Sequence, residues 1–157
     1  MTQKCRTILV AEDDAEDAFF LQRAFIQSGI QVRMDFVKDG QETISYLKGE
    51  DGFEDRHRFP FPGLLLLDLK MPKLDGFDVL RWLQTQSGLR RLPVTVLSSS
   101  QEPCDVNRAY DLGANSYFVK PAANDNLSDI VEKIRCYWLE VNEQPNCFWH
   151  DPQEQPV

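Results

Sequence analysis

Residues 64–67 are four consecutive leucines that run directly into Asp68. A short apolar run without polar alternation, bounded by turn residues, suits a strand buried on both faces. Such strands belong to parallel sheets covered by helices on either side. In those sheets ligands bind beyond the carboxyl ends of the strands. Asp68 stands at that end. Taken alone, it reads equally well as a functional carboxylate or as a cap for the turn that follows.

The chain has 157 residues and 42% hydrophobic content, which predicts one globular domain with a full core. A net charge of −8 argues against phosphate-backbone binding, so no direct nucleic-acid partner is expected. The apolar runs are short and no basic-then-apolar leader opens the chain. We therefore expect no membrane contact and a cytoplasmic location. Cys5, Cys104, Cys136 and Cys147 are widely spaced, with no Cys-x-x-Cys, and His57 and His150 are the only histidines. Free thiols are expected here, not a zinc site or a disulfide scaffold.

Strand and helix alternate five times along the chain. Thr7–Ala11 reads as a first strand and ends in Glu12-Asp13-Asp14. A helix from about Asp14 to Ser28 follows, with Phe20, Leu21, Ala24 and Phe25 as its buried stripe and Gly29 behind it. Phe19 falls off that stripe. Three adjacent carboxylates repel one another. Capping accounts for one, Asp14, and leaves Glu12 and Asp13 unexplained. Gln31–Val37 is the second strand, and its helix runs to about Lys48. Gly49–Pro62 breaks pattern and reads as a surface loop, pinned by Phe53, Phe59 and Phe61, with His57 solvated. The leucine strand precedes a helix over Gly76–Gln86. Pro93–Leu97 is the fourth strand, ending in Ser98-Ser99-Ser100, and its helix spans Pro103–Leu112. Asn115–Val119 is the fifth, ending in Lys120-Pro121. A last helix is expected over Asn124–Asn142, buried through Leu127, Ile130, Val131, Ile134, Tyr137, Trp138 and Val141. Residues 1–142 thus form one domain. Residues 143–157, with three prolines and no period, form a tail expected to be flexible.

Five strand–helix units imply an open parallel sheet covered on both faces. Four of the strands end in distinctive polar groups: Glu12/Asp13, Asp68, Ser98 and Lys120. These ends share one edge of the sheet and can converge. Clustered carboxylates suit a hard divalent ion, Mg²⁺ by preference, which usually meets a phosphate. A lysine and a hydroxyl offer a charge and a hydrogen bond to phosphoryl oxygens. No glycine-rich nucleotide loop and no Ser-His-Asp set is present. A site that handles a phosphoryl group without a nucleotide cradle calls for a carboxylate nucleophile or acceptor.

In order and spacing, these motifs resemble the receiver domains of two-component response regulators, the CheY-like superfamily, over residues 6–142. The resemblance implies a flavodoxin-like (βα)5 doubly wound α/β fold with strand order 2-1-3-4-5. It implies that Glu12 and Asp13 bind Mg²⁺ together with Asp68 and the Lys70 backbone carbonyl. Asp68 matches the phosphoacceptor, Ser98 the hydroxyl that contacts the phosphoryl group, and Lys120 the lysine beside it. Tyr117 matches the switch aromatic, and Pro121 would follow a cis bond. The implied function is that of a phosphoacceptor signalling protein, not an enzyme with a separate substrate. It takes its phosphoryl group from a sensor histidine kinase, assists its own phosphorylation and dephosphorylation, and switches a face built on the fourth helix, fifth strand and fifth helix. That face, with Val106, Tyr110, Tyr137 and Trp138 as candidates, would bind partners or form a homodimer. The 49–62 loop and the aromatic end of the last helix further resemble the stand-alone response regulators of cyanobacterial-type phytochromes, which makes a phytochrome the implied kinase. Ser98 replaces the commoner threonine, Lys70 is a charged variant, and Asp17, one helical turn past Asp13, has no counterpart in the pattern. Two rivals stay open: a small phosphohydrolase with an aspartyl-phosphate intermediate, and a degenerate receiver that acts only by binding.

Overall fold

The computed structural model describes residues 7–122 and 127–145. β1 (Thr7–Ala11), β2 (Arg33–Val37), β3 (Leu64–Leu67), β4 (Val94–Ser98) and β5 (Ser116–Val119) form one sheet. Its order is β2-β1-β3-β4-β5 and every pairing is parallel. α1 (Ala15–Gln27), α2 (Gly40–Lys48), α3 (Gly76–Gln84), α4 (Pro103–Asp111) and α5 (Ser128–Ile134) alternate with the strands. The alternation implied an open parallel sheet, and the order is the flavodoxin-like, doubly wound one that the family resemblance implied.

The leucine run shows why the central strands lack polar alternation. Successive strand residues point to opposite faces. Leu65 and Leu67 join one core layer with Leu9, Ala11, Val79, Leu80 and Leu83. Leu64 and Leu66 join the other, with Ile8, Val10, Leu21, Phe25, Val131 and Ile134. All four leucines are at most 1% exposed. Each contributes about 1.5–3 kcal/mol of apolar burial, an upper figure given a compact unfolded chain. β2 is an outer strand, and it begins at Arg33, two residues later than expected.

Asp14 caps α1 as expected, accepting from the N–H groups of Glu16 and Asp17 at 2.9 and 3.0 Å. The α1 stripe is narrower than expected: Leu21 and Phe25 are buried, whereas Phe20 is 40% exposed and packs edge-on against the exposed Phe19. At about 100° per residue, Phe20 rotates off the line joining Leu21 and Phe25. The 49–62 loop is tied down as expected. Phe53 and Phe59 stack around the buried Tyr46, with ring centroids 5.1 and 6.0 Å away. Arg56 donates to the carbonyls of Tyr46 and Leu47 in the last turn of α2, both at 2.9 Å, and that of Tyr46 also accepts from the Gly49 N–H at 3.2 Å. His57 is exposed.

Two more expectations are corrected. The last helix does not continue as an α-helix: Arg135–Val141 is π-helical, and the Asn142 N–H donates to the Tyr137 carbonyl five residues back at 2.7 Å. The wider turn moves the stripe, so Leu139, five residues after Ile134, is buried, while Tyr137 and Val141 are 55% and 67% exposed. Trp138 stays in the core. Second, no cis peptide occurs among the described residues, so the Lys120–Pro121 bond is trans. Trans is the ground state of an X–Pro bond by about 0.5–1 kcal/mol, and in it the Lys120 side chain still reaches the acidic end of β1. The expected helix start at Asn124 lies outside the described residues. So do Cys5, Cys147, Phe148, Trp149, His150 and the expected tail beyond Pro145. Cys104 and Cys136 are free and exposed. Among the described residues, no helix is long and apolar enough to cross a membrane.

Candidate functional site

Backbone register places the site. Ala11 pairs with Leu67 across β1 and β3. The ladder runs one residue further: the Asp68 N–H donates to the Ala11 carbonyl, and the Glu12 N–H to that of Val37, both at 3.0 Å. Glu12 and Asp68 therefore leave neighbouring strands side by side. On the other flank the Lys120 N–H donates to the Ser98 carbonyl at 2.8 Å, which fixes the end of β5 against the end of β4. From there the Lys120 side chain crosses to the carboxylates. Its Nζ donates to Glu12 Oε2 at 2.5 Å, Asp68 Oδ2 at 2.9 Å and Asp17 Oδ2 at 3.1 Å.

The charges are close and largely out of water. Glu12 and Asp68 are both 8% exposed. Burial, with the nearby charge of Asp68, pushes the Glu12 carboxyl up to about 7, although Lys120 and the Asp14 N–H act to lower it. Burial alone would lower the Lys120 ammonium. The hydrogen bond to Glu12 and the charge of Asp68 outweigh it and hold the ammonium above the usual lysine range.

Glu12, Asp13 and Asp68 each bring a carboxylate oxygen within 4.8 Å of the others. Three convergent hard oxygen donors, one of them exposed to water, fit a divalent cation that keeps part of its hydration shell. Lys70 is exposed and its N–H donates to Asp68 Oδ1 at 3.3 Å. Ser98 is 1% exposed and its Oγ accepts from the Ser100 N–H at 3.2 Å. Tyr117 is half-buried and its hydroxyl donates to the Ser100 carbonyl at 2.9 Å. Ser100 in turn donates to Asp105 at 2.6 Å, joining the start of α4 to the end of β4.

Three residues have roles that the sequence did not assign. Asp17 joins Lys120, although its spacing from Asp13 was its only signal. Asp75 forms a capping box with Asp78 and so sets the start of α3 behind the acidic loop. Gly76 is there because a Cβ would collide with the Asp68 carbonyl and Leu69 Cα. A groove of ≈ 560 Å³ lined by Arg91, Asn115, Lys133, Tyr137 and Trp138 opens at the opposite, amino end of β4 and β5, away from these groups.

Fold and site together define a doubly wound α/β domain with an acidic pocket closed by a lysine. Residues 8–132 match the response regulator receiver domain family, and the chain belongs to that family. It is 37% identical over 138 residues to the probable methanogenesis regulatory protein FilR2 of Methanothrix harundinacea, covering 88% of this chain and 86% of that protein. The response regulator Rcp1 of Synechocystis sp. is 33% identical over 140 residues, covering 89% and 93%. The crystal structure of its Mn²⁺-bound form superposes with a TM-score of 0.80 over 89% of this chain and 99% of that one. The phosphorylated cyanobacterial phytochrome response regulator RcpA is 35% identical, with a TM-score of 0.82 over 90% and 99%.

Proposed function

We propose that Asp68 is the phosphoacceptor of this receiver and that a sensor histidine kinase supplies the phosphoryl group. The carrying observation is Lys120, which reaches 108 and 52 residues back along the chain to bind Glu12 and Asp68 together. Mn²⁺ in Rcp1 and the phosphorylated form of RcpA support a metal-dependent phosphoryl chemistry for the same pocket. An Asp68 oxygen attacks phosphorus in line. The N–P bond of the kinase phosphohistidine breaks, the O–P bond forms, and the imidazole leaves with its electron pair. Lys120 donates to an equatorial phosphoryl oxygen. Ser98 Oγ supplies a further hydrogen bond from the end of β4. Glu12, Asp13, Asp68 and the Lys70 carbonyl would hold Mg²⁺, which neutralises charge on the phosphoryl oxygens when bound.

The output runs through α4, β5 and α5. Tyr117 is tied to the β4–α4 loop through the Ser100 carbonyl, and that loop is tied to α4 through Asp105. Movement of Ser98 toward an acyl phosphate therefore pulls on both. Tyr110 and Tyr137, 48% and 55% exposed, are the aromatic contacts this face offers to a partner or a second copy. Trp138, buried, serves the core. The relatives make a phytochrome kinase the source to test first, with the receiver spanning residues 1–142.

Intact-mass spectrometry after incubation with acetyl phosphate tests the assignment. A single phosphoryl adduct that needs Mg²⁺ and is absent in Asp68→Asn is expected. An equal adduct on the Asp68→Asn variant would remove Asp68 from the acceptor role. Turnover of small phosphate esters would favour a phosphohydrolase instead.

A further inference from the structure

Lys120 has one partner that neither the metal triad nor the acceptor requires. Asp17 lies on the first turn of α1, outside the Glu12–Asp13–Asp68 triad, yet its Oδ2 accepts from Lys120 Nζ. An ammonium has three hydrogens and no acceptor. Here all three are engaged, by Glu12, Asp68 and Asp17. A phosphoryl oxygen arriving at Asp68 must take one of them. Releasing Glu12 or Asp68 strands a carboxylate whose side chain is 6% or 9% exposed. Releasing Asp17 returns a side chain that is 50% exposed to water. The third bond is also the longest of the three, so it is the one that yields.

We propose that Asp17 is a positioning residue for Lys120. It holds the third N–H of the resting ammonium and competes for it with the phosphoryl group. The proposal rests on the reading of Asp68 and Lys120 given above. Its two consequences have opposite signs. While present, Asp17 shares Lys120 with Glu12 and Asp68 and adds negative charge beside the triad, which favours a divalent cation. The same carboxylate opposes a phosphoryl group, by occupying its donor and by like charge. A residue that merely supported the fold would move both properties in one direction.

The test measures the two separately. Mg²⁺ binding is followed by calorimetry without anion, and beryllofluoride binding by fluorine NMR at saturating Mg²⁺. Asp17→Ala is expected to weaken Mg²⁺ and to tighten beryllofluoride, each by about two- to fivefold, the scale of a half-exposed ion pair. Asp17→Glu restores both toward the parent values. Both effects shrink in about 1 M salt, where exposed charges are screened. The proposal is overturned if the two constants move in the same direction, or if neither changes. The underlying reading fails in a different way: the unmodified protein would take up no beryllofluoride, or the Asp68→Asn variant would take up as much. That control does not involve position 17, so the two failures are separable.

Discussion

Removing the cation from the pocket exposes its energetics most directly. In Lys120→Ala, Glu12 and Asp68 are left facing each other with no counter-charge. Their side chains are 6% and 9% exposed, and that of Lys120 is 13% exposed, so solvent screens the loss little. Breaking a buried pair by deleting one partner costs about 3–5 kcal/mol. Partial relief is available because Glu12, already pushed up to about 7, can take a proton. We expect a loss of about 3 kcal/mol at pH 8 without Mg²⁺, or about 6–12 °C in Tm for a chain of this size. The sign with pH follows from linkage. A carboxyl raised in the folded state binds more protons there than when unfolded, so stability falls as pH rises through the window from 4.5 to about 7. Without Lys120 that window extends further up. The deficit should therefore be smaller at pH 6 than at pH 8, and Mg²⁺ should recover part of it by binding the folded state alone. Thermal melts by circular dichroism at both pH values, with and without Mg²⁺, measure this. An equal deficit at pH 6 and pH 8, or none, would refute the reasoning.

Two further outcomes are expected. With Glu12 as a proposed Mg²⁺ ligand, binding needs its carboxyl ionised, so the affinity should fall by at most about tenfold per pH unit below 7, and the stabilisation of the fold by Mg²⁺ should be larger at pH 8 than at pH 6. A calorimetric titration that is flat between those values would contradict the burial argument. Gly76→Ala puts a Cβ onto the Asp68 carbonyl. It should cost about 1–3 kcal/mol by overpacking and slow phosphorylation by acetyl phosphate, which parent-like adduct formation on an intact-mass time course would disprove.

Much of the site was legible because it is organised by strand ends. Glu12, Asp68, Ser98 and Lys120 each sit where an apolar run stops, and a parallel sheet brings such ends to one edge whatever lies between them. Asp14 was legible as a cap for the same local reason. Phe20 departs from the expected stripe because adjacent residues on a helix differ by about 100°, and apolar content alone does not decide which of two neighbouring rings faces the sheet. The end of the last helix was misread because α- and π-helical turns have the same apolar content. Only packing decides between Tyr137 and Leu139 as the buried residue.

By itself the sequence determined the alternation of strands and helices, the burial of the 64–67 run on both faces and the polar groups that end four of the five strands. These are local properties, written in apolar periodicity and in turn and cap residues. The tertiary structure decided how those groups share charge. It made one ammonium the common partner of Glu12, Asp68 and Asp17, put the Glu12 carboxyl near 7, and placed Arg56 on the last carbonyls of α2. The reason is physical. Burial and Coulomb energy depend on distances between atoms far apart in the chain, and residue order carries no information on those distances until the sheet has closed.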